Sequence, residues 1–131
     1  MDVNTLVFYP GDPGADNKQL FALKAPTDAN GGGLRILAAY AINGAATSGG
    51  TTFTYALHKF SSAGTPAVNG TIAAAIGGTT DYWAAGVPKT FTLDSSYTFL
   101  DAGEWLVVDY QEESAGNPTL SSVVVHYAVG K

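Results

Sequence analysis

The sequence predicts an all-β fold: one antiparallel β-sandwich domain of about eight strands. The first observation is that apolar residues recur at every second position over several short stretches, which is typical of half-buried strands. The second is that turn-forming residues separate these stretches at short intervals. The third is a composition with 16 glycines and only 13% charged residues, which does not suit a helical bundle. Short strands at this spacing are typical of a sandwich, a jelly roll or a barrel.

Four stretches show the clearest alternation. In the first, the even-numbered residues from Leu34 to Ile42 are predicted to share one face. In the second, Phe53, Tyr55 and Leu57 do the same. The four predicted strands are Leu34–Ile42, Thr52–His58, Trp105–Tyr110 and Ser122–Val129.

Shorter runs complete the set of eight or nine strands. Turn signals such as Asn43-Gly44 and Gly77-Gly78 lie between them. Between two glycines lies Thr71–Ile76, which is either a short helix or a strand. The short predicted strands are Thr5–Tyr9, Gln19–Leu23, Lys89–Leu93 and Tyr97–Leu100.

The first 33 residues differ from the rest in composition. Gly- and Pro-rich segments enclose a single apolar run there, Leu20–Leu23, and loops this long inside a compact domain are usually functional or disordered. We therefore predict one domain over residues 1–131, with an N-terminal arm and loop at 1–33 and a sandwich core at 34–131. The arm would lie over the sandwich or over a neighbouring subunit. The alternative is a first pair of strands joined by a flexible turn.

Several predicted strands are apolar on both faces. Leu37, Val108 and Val124 are the clearest residues on the second face. Such strands are expected to be covered twice, once by the core and once by another subunit.

Charge and cysteine content exclude several classes of function. Six basic residues against 11 acidic ones give a net charge of −5, which is too few cations to release counterions from a nucleic acid or to hold an anionic membrane. The absence of cysteine excludes disulfide scaffolds, thiolate zinc sites and cysteine nucleophiles. No signal peptide or membrane-spanning run is visible in the sequence, so we expect synthesis in a cytoplasm.

Catalytic, cofactor and metal sites are not predicted. The two histidines, His58 and His126, lie within predicted strands, and no serine sits in a nucleophile elbow. The acidic residues at 109, 112 and 113 are better explained by a solvated strand end than by a glycosidase pair. Asp12, Asp16 and Asn17 are the best calcium candidates, but Asx turns explain them without a metal.

The sharpest local feature is Asp81-Tyr82-Trp83. Glycines and small residues flank it on both sides, so the two rings could stand on a loop tip. Three interpretations are open: a cap on the sandwich core, a protein contact, or a sugar-stacking site.

A Gly-rich arm leads into the strand Leu34–Ile42, and the Thr-rich strand Thr51–Lys59 and the small-residue stretch Thr71–Gly78 follow. An L-x-A-G-[DE]-x-L-x-V step, here Leu100–Val108, precedes a final Val-rich strand. In this pattern the chain resembles the jelly-roll decoration, or cement, proteins on the heads of tailed bacteriophages. The resemblance covers about residues 34–130.

The resemblance implies a non-enzymatic virion protein, made in the host cytoplasm, that binds the outer surface of a capsid and stabilises it. The implied partners are the major capsid protein and further copies of the chain in a homotrimer, with no nucleic acid, membrane or cofactor. The alternatives are a carbohydrate-binding, lectin-like module and a minor tail or fibre subunit. The residues expected to contact the capsid or another subunit are Phe8, Tyr9, Leu20, Phe21, Asp81, Tyr82 and Trp83.

Overall fold

The computed structural model describes residues 2–11, 17–27, 32–46, 52–63, 68–78, 82–114 and 121–130. Every regular element in these segments is a β-strand, which confirms the predicted all-β class for the described part of the chain. The strands are β1 (Asn4–Phe8), β2 (Asn17–Lys24), β3 (Leu34–Ile42), β4 (Thr52–Phe60), β5 (Val68–Gly77), β6 (Lys89–Thr90), β7 (Phe99–Leu100), β8 (Trp105–Ser114) and β9 (Ser122–Val129).

The strands form two antiparallel sheets. The first sheet has the order β1-β9-β3-β6, with β7 also paired to β3, and the second has the order β2-β8-β4-β5. The short strands β6 and β7 pair with opposite ends of β3, so together they fill one edge position. The pairs are then β1 with β9, β2 with β8, β3 with β6 and β7, and β4 with β5. Successive pairs alternate between the sheets, which is the winding of a jelly-roll sandwich.

The described part of residues 1–33 belongs to the sandwich. β1 pairs with β9 over Asn4–Phe8, and β2 pairs with β8 over Asn17–Lys24. The predicted boundary at residue 33, between an arm and a sandwich core, is therefore wrong for these two segments. The alternative prediction, two strands at the start of the chain, fits these segments better. However, β1 and β2 do not pair with each other, because they belong to different sheets. Their alternating apolar residues fill the edges of the core, because Leu6, Phe8 and Leu20 pack against it.

The run Thr71–Ile76 is a strand and forms most of β5. It pairs antiparallel with β4, with Ile76 opposite Tyr55 and Ala73 opposite Leu57. Ladder hydrogen bonds to β4 and the burial of Ile72 and Ala73 stabilise the extended form over a short helix, which is marginal at this length.

An irregularity in β3 changes which side chains face the core. The register with β9 shifts between Ile36 and Ala38. Even-numbered side chains are buried up to Ile36, and the odd-numbered ones at 39 and 41 are buried after it. A one-residue bulge reverses which positions face inwards. The predicted even-numbered stripe is therefore wrong beyond Ile36, and Tyr40 and Ile42 lie on the outer face.

The core is closed by aromatic rings where β4 begins. Trp83, Phe53, Tyr55 and Tyr110 are all almost fully buried. The Trp83 ring stacks on Phe53 with centroids 5.2 Å apart, and its Nε1 donates to the Phe53 carbonyl oxygen at 3.2 Å. Gly77 allows this approach: its φ is 93°, and a Cβ there would lie 2.6 Å from that carbonyl oxygen.

The turn between β7 and β8 closes the other end of β4. Glu104 Oε1 accepts a hydrogen bond from the Asp101 N–H at 2.8 Å and lies 3.6 Å from Lys59 Nζ. Lys59 Nζ also donates to the Phe99 carbonyl oxygen at 3.2 Å. The Leu100–Val108 step therefore has a structural role, because its glutamate ties the turn to β4.

Candidate functional site

The outer face of the first sheet carries large apolar side chains. Val7 of β1 lies opposite Val124 of β9, which in turn lies opposite Tyr40 of β3. Val7 is 43% exposed, and Tyr9, directly after β1, is 73% exposed. None of these side chains belongs to the core cluster. Tyr40 and Ile42 are half-buried, and Val124 between Val7 and Tyr40 is only 7% exposed. We call this surface the apolar face and define it by Val7, Tyr9, Tyr40, Ile42 and Val124.

One imidazole, that of His126, lies on the same side of the sheet as the apolar face, and it is hydrogen-bonded. His126 Nδ1 shares a hydrogen bond with Thr5 Oγ1 at 2.9 Å, and the ring lies 6.0 Å from that of Tyr40. The pair satisfies a polar group within an otherwise apolar surface. Exposed apolar surface of this kind marks interaction sites more often than isolated residues do.

The outer face of the second sheet carries a different set of side chains. Phe21 of β2 makes edge-to-face contacts with Phe60 of β4 and Trp105 of β8, at centroid distances of 5.5 and 5.3 Å. Lys24 Nζ lies 5.5 Å from the centroid of the Trp105 ring. Phe60 is fully buried, whereas Phe21 is 40% exposed. The three rings form one aromatic cluster outside the core.

Beside the rings lies a row of hydrogen-bonded polar groups. Asp109 Oδ2 lies 3.4 Å from His58 Nε2 and accepts a hydrogen bond from Gln111 Nε2 at 3.2 Å. His58 Nδ1 lies 3.3 Å from Thr71 Oγ1. We call the whole surface the aromatic–polar face and define it by Phe21, Phe60, Trp105, His58, Thr71, Asp109 and Gln111.

The order hydroxyl, imidazole, carboxylate in Thr71, His58 and Asp109 is also that of a nucleophile, its general base and the carboxylate that orients the base. Acyl transfer further needs donors aimed at the developing oxyanion. Here the three groups stand on the outer face of a sheet, where the backbones of β4 and β8 pair with each other and Thr71 belongs to the edge strand β5. Their hydrogen-bonding groups can also bind a polar molecule.

The structure separates the residues predicted to contact a partner. Phe8 and Leu20 are half-buried and pack against the core. Tyr9 follows β1 directly, two positions after Val7 of the apolar face, and Phe21 lies on the aromatic–polar face of the other sheet. Asp81 lies outside the described residues.

Tyr82 and Trp83, although adjacent, have opposite environments. Tyr82 is 43% exposed, whereas Trp83 is 1% exposed and stacks on Phe53. The prediction that Trp83 contacts a partner is therefore wrong, because the indole caps the core. Of the three interpretations of this segment, the first applies to Trp83: its ring covers one end of the sandwich core.

Sequence reasoning missed the aromatic–polar face. Trp105 and Asp109 were visible as alternate residues of a predicted strand, and Phe60 follows another. The pairing register was the missing information: it places Phe60 opposite Trp105 and Phe21 opposite Val107.

The described segments contain no group of three or more histidine, aspartate or glutamate side chains placed to hold a metal ion. All three calcium candidates lie outside the described part of the structure: Asp12, Asp16 and the side chain of Asn17. No helix in the described part of the chain is long and apolar enough to cross a membrane.

Comparison with known proteins adds no relative to this description. No protein-family model matches the chain. No curated protein and no solved structure matches it either.

Proposed function

We propose that this chain is a non-enzymatic structural protein of a virion, which binds the outside of a phage capsid as a decoration protein. The apolar face carries the proposal. It presents the well-exposed Val7 and Tyr9 and the half-buried Tyr40, with the buried Val124 between Val7 and Tyr40 in the sheet. A preformed apolar surface of this kind loses little conformational entropy on docking, and its burial favours association.

Binding of this kind would stabilise a shell by mass action. A protein that binds only the assembled shell contributes about 3–4 kcal/mol per site when its free concentration is 100–1,000 times the dissociation constant. The resemblance to decoration proteins adds self-association in a homotrimer to the proposal. Three linked copies would bind with higher avidity, because the second and third contacts become intramolecular.

The test is a charge placed on the apolar face. Val7→Asp should weaken binding to shells assembled from the major capsid protein of the same genome by about a hundredfold, because docking would bury an unpaired carboxylate. Binding is measured by co-sedimentation of protein with shells. Tyr9→Ser, outside β1 and therefore harmless to the strand, should weaken it by about tenfold.

A matched control is Val129→Asp, which puts the same charge at a valine that is 52% exposed, at the far end of β9 from Val124 and on the opposite face of that strand. It should bind like the wild type. Wild-type binding by Val7→Asp and Tyr9→Ser, or binding to tails rather than heads, would overturn the proposal. So would a genome that encodes no capsid protein.

A further inference from the structure

We propose that the aromatic–polar face binds a saccharide, as a second interaction site that does not depend on binding to a capsid. An apolar ring surface and a row of hydrogen-bonding groups lie side by side on one sheet. A sugar ring has the matching halves, since its C–H faces are apolar and its edge carries hydroxyl groups. Small-molecule sites combine apolar surface with a few placed polar groups in the same way.

The aromatic half is held in place from below. Phe60 is fully buried, and the Phe21 ring stands nearly perpendicular to those of Phe60 and Trp105, at 88° and 86°. Phe21 is also 40% exposed, so it presents apolar ring surface to solvent from a fixed position. A ring with few rotatable bonds and fixed neighbours loses little entropy when a ligand packs on it.

The polar half has hydrogen-bonding capacity left for a ligand. The contacts of Asp109 with His58 and Gln111 both use Oδ2, which leaves Oδ1 to accept hydrogen bonds from a hydroxyl. The Gln111 side chain donates through Nε2, which leaves its carbonyl oxygen as an acceptor. Both acceptors lie on the outer face of β8, and the hydrogen bond from Gln111 Nε2 to Asp109 Oδ2 at 3.2 Å holds the two side chains together.

Charge on the face decides between kinds of ligand. Among the described side chains of this face, Lys24 beside Trp105 supplies one cation and Asp109 beside His58 supplies one anion. A near-neutral surface gives no attraction to a polyanion such as a nucleic acid, whose affinity comes from clustered cations. It fits a neutral saccharide, which gains from ring contact and hydrogen bonds.

The experiment uses the full chain on a printed array of neutral and acidic glycans that includes bacterial O-chains. The strongest array glycan then serves as the titrant in calorimetry. Phe21→Ala removes the exposed ring and Asp109→Asn removes the charged acceptor while keeping the shape. Each should weaken binding by about tenfold or more. Gln111→Ala, at an exposed side chain, should weaken it without affecting folding.

The control is Tyr82→Ala, which removes another exposed aromatic ring, next to the core-capping Trp83 and outside the strands β2, β4, β5 and β8 that form this face. It should bind the glycan like the wild type. Absence of any array binding by the wild type would overturn the proposal, as would a loss in Tyr82→Ala with none in Phe21→Ala. Val7→Asp distinguishes the two sites, because it should abolish capsid binding and leave glycan binding intact.

Discussion

The outer faces of the two sheets follow the same alternation and carry opposite chemistry. On the first sheet, Val7, Val124 and Tyr40 lie side by side across three strands. On the second, the Phe21–Phe60–Trp105 rings lie beside an aspartate that contacts an imidazole and an amide. An apolar surface gains most from another protein surface, whereas rings beside polar groups match a ligand that has both characters. A sandwich core uses one face of each sheet, so the other two faces can serve different partners.

The largest expected effect is on the free energy of unfolding. It is tested by replacing each of the two tryptophans, one in the core and one on an outer face. Trp83→Ala should lower the free energy of unfolding by about 3–5 kcal/mol, because it removes a fully buried ring that stacks on Phe53. Trp105→Ala should lower it by about 1–2 kcal/mol, since that ring is half-buried outside the core. Urea denaturation followed by far-UV circular dichroism measures both.

The ranking of the two variants is the informative result. Equal losses would mean that the aromatic cluster outside the core is as important for folding as the core itself. In that case Trp105 would belong to the scaffold, and the contrast between core and face would fail.

Gly77→Ala is the next test, because Gly77 sets the position of Trp83. The backbone there has a φ of 93°, and a Cβ would lie 2.6 Å from the Phe53 carbonyl oxygen and 2.7 Å from Trp83 Nε1. We expect a loss of about 1–3 kcal/mol from the strained backbone and the displaced indole. The buried Trp83 is expected to emit at short wavelength in the wild type. A shift of the emission maximum to longer wavelength in Gly77→Ala would report that the indole is displaced towards water. Gly86→Ala is a control that measures the cost of the backbone conformation alone. Its φ is 69°, and nothing lies within 4 Å of its Cβ position.

Alternation in the sequence was sufficient to predict the fold and insufficient to predict the faces. The period of two located the strands, because half-buried strands need it whatever their neighbours are. It could not identify the outer face of β3, because the shift between Ile36 and Ala38 reverses the pattern inside the strand. Nor could it place Trp83, whose burial depends on contact with Phe53, 30 residues earlier in the chain. Local pattern therefore predicts elements, and long-range pairing decides which side chains are available for function.

The smallest expected effect comes from a threonine-to-valine substitution made on each of the two faces, so that the faces can be compared directly. Thr5→Val removes the hydroxyl 2.9 Å from His126 Nδ1, and Thr71→Val removes the one 3.3 Å from His58 Nδ1. Valine suits a strand as well as threonine does, so the loss measures the hydrogen bond. We expect about 0.5–1 kcal/mol for Thr5→Val and less for Thr71→Val, because the second bond is longer and His58 keeps its contact with Asp109 at 3.4 Å. Glycan binding should show the reverse order, with a measurable loss in Thr71→Val and none in Thr5→Val. If both variants lost the same stability and bound the glycan equally, the two imidazoles would be equivalent surface groups, and the aromatic–polar face would have no special claim as a binding site.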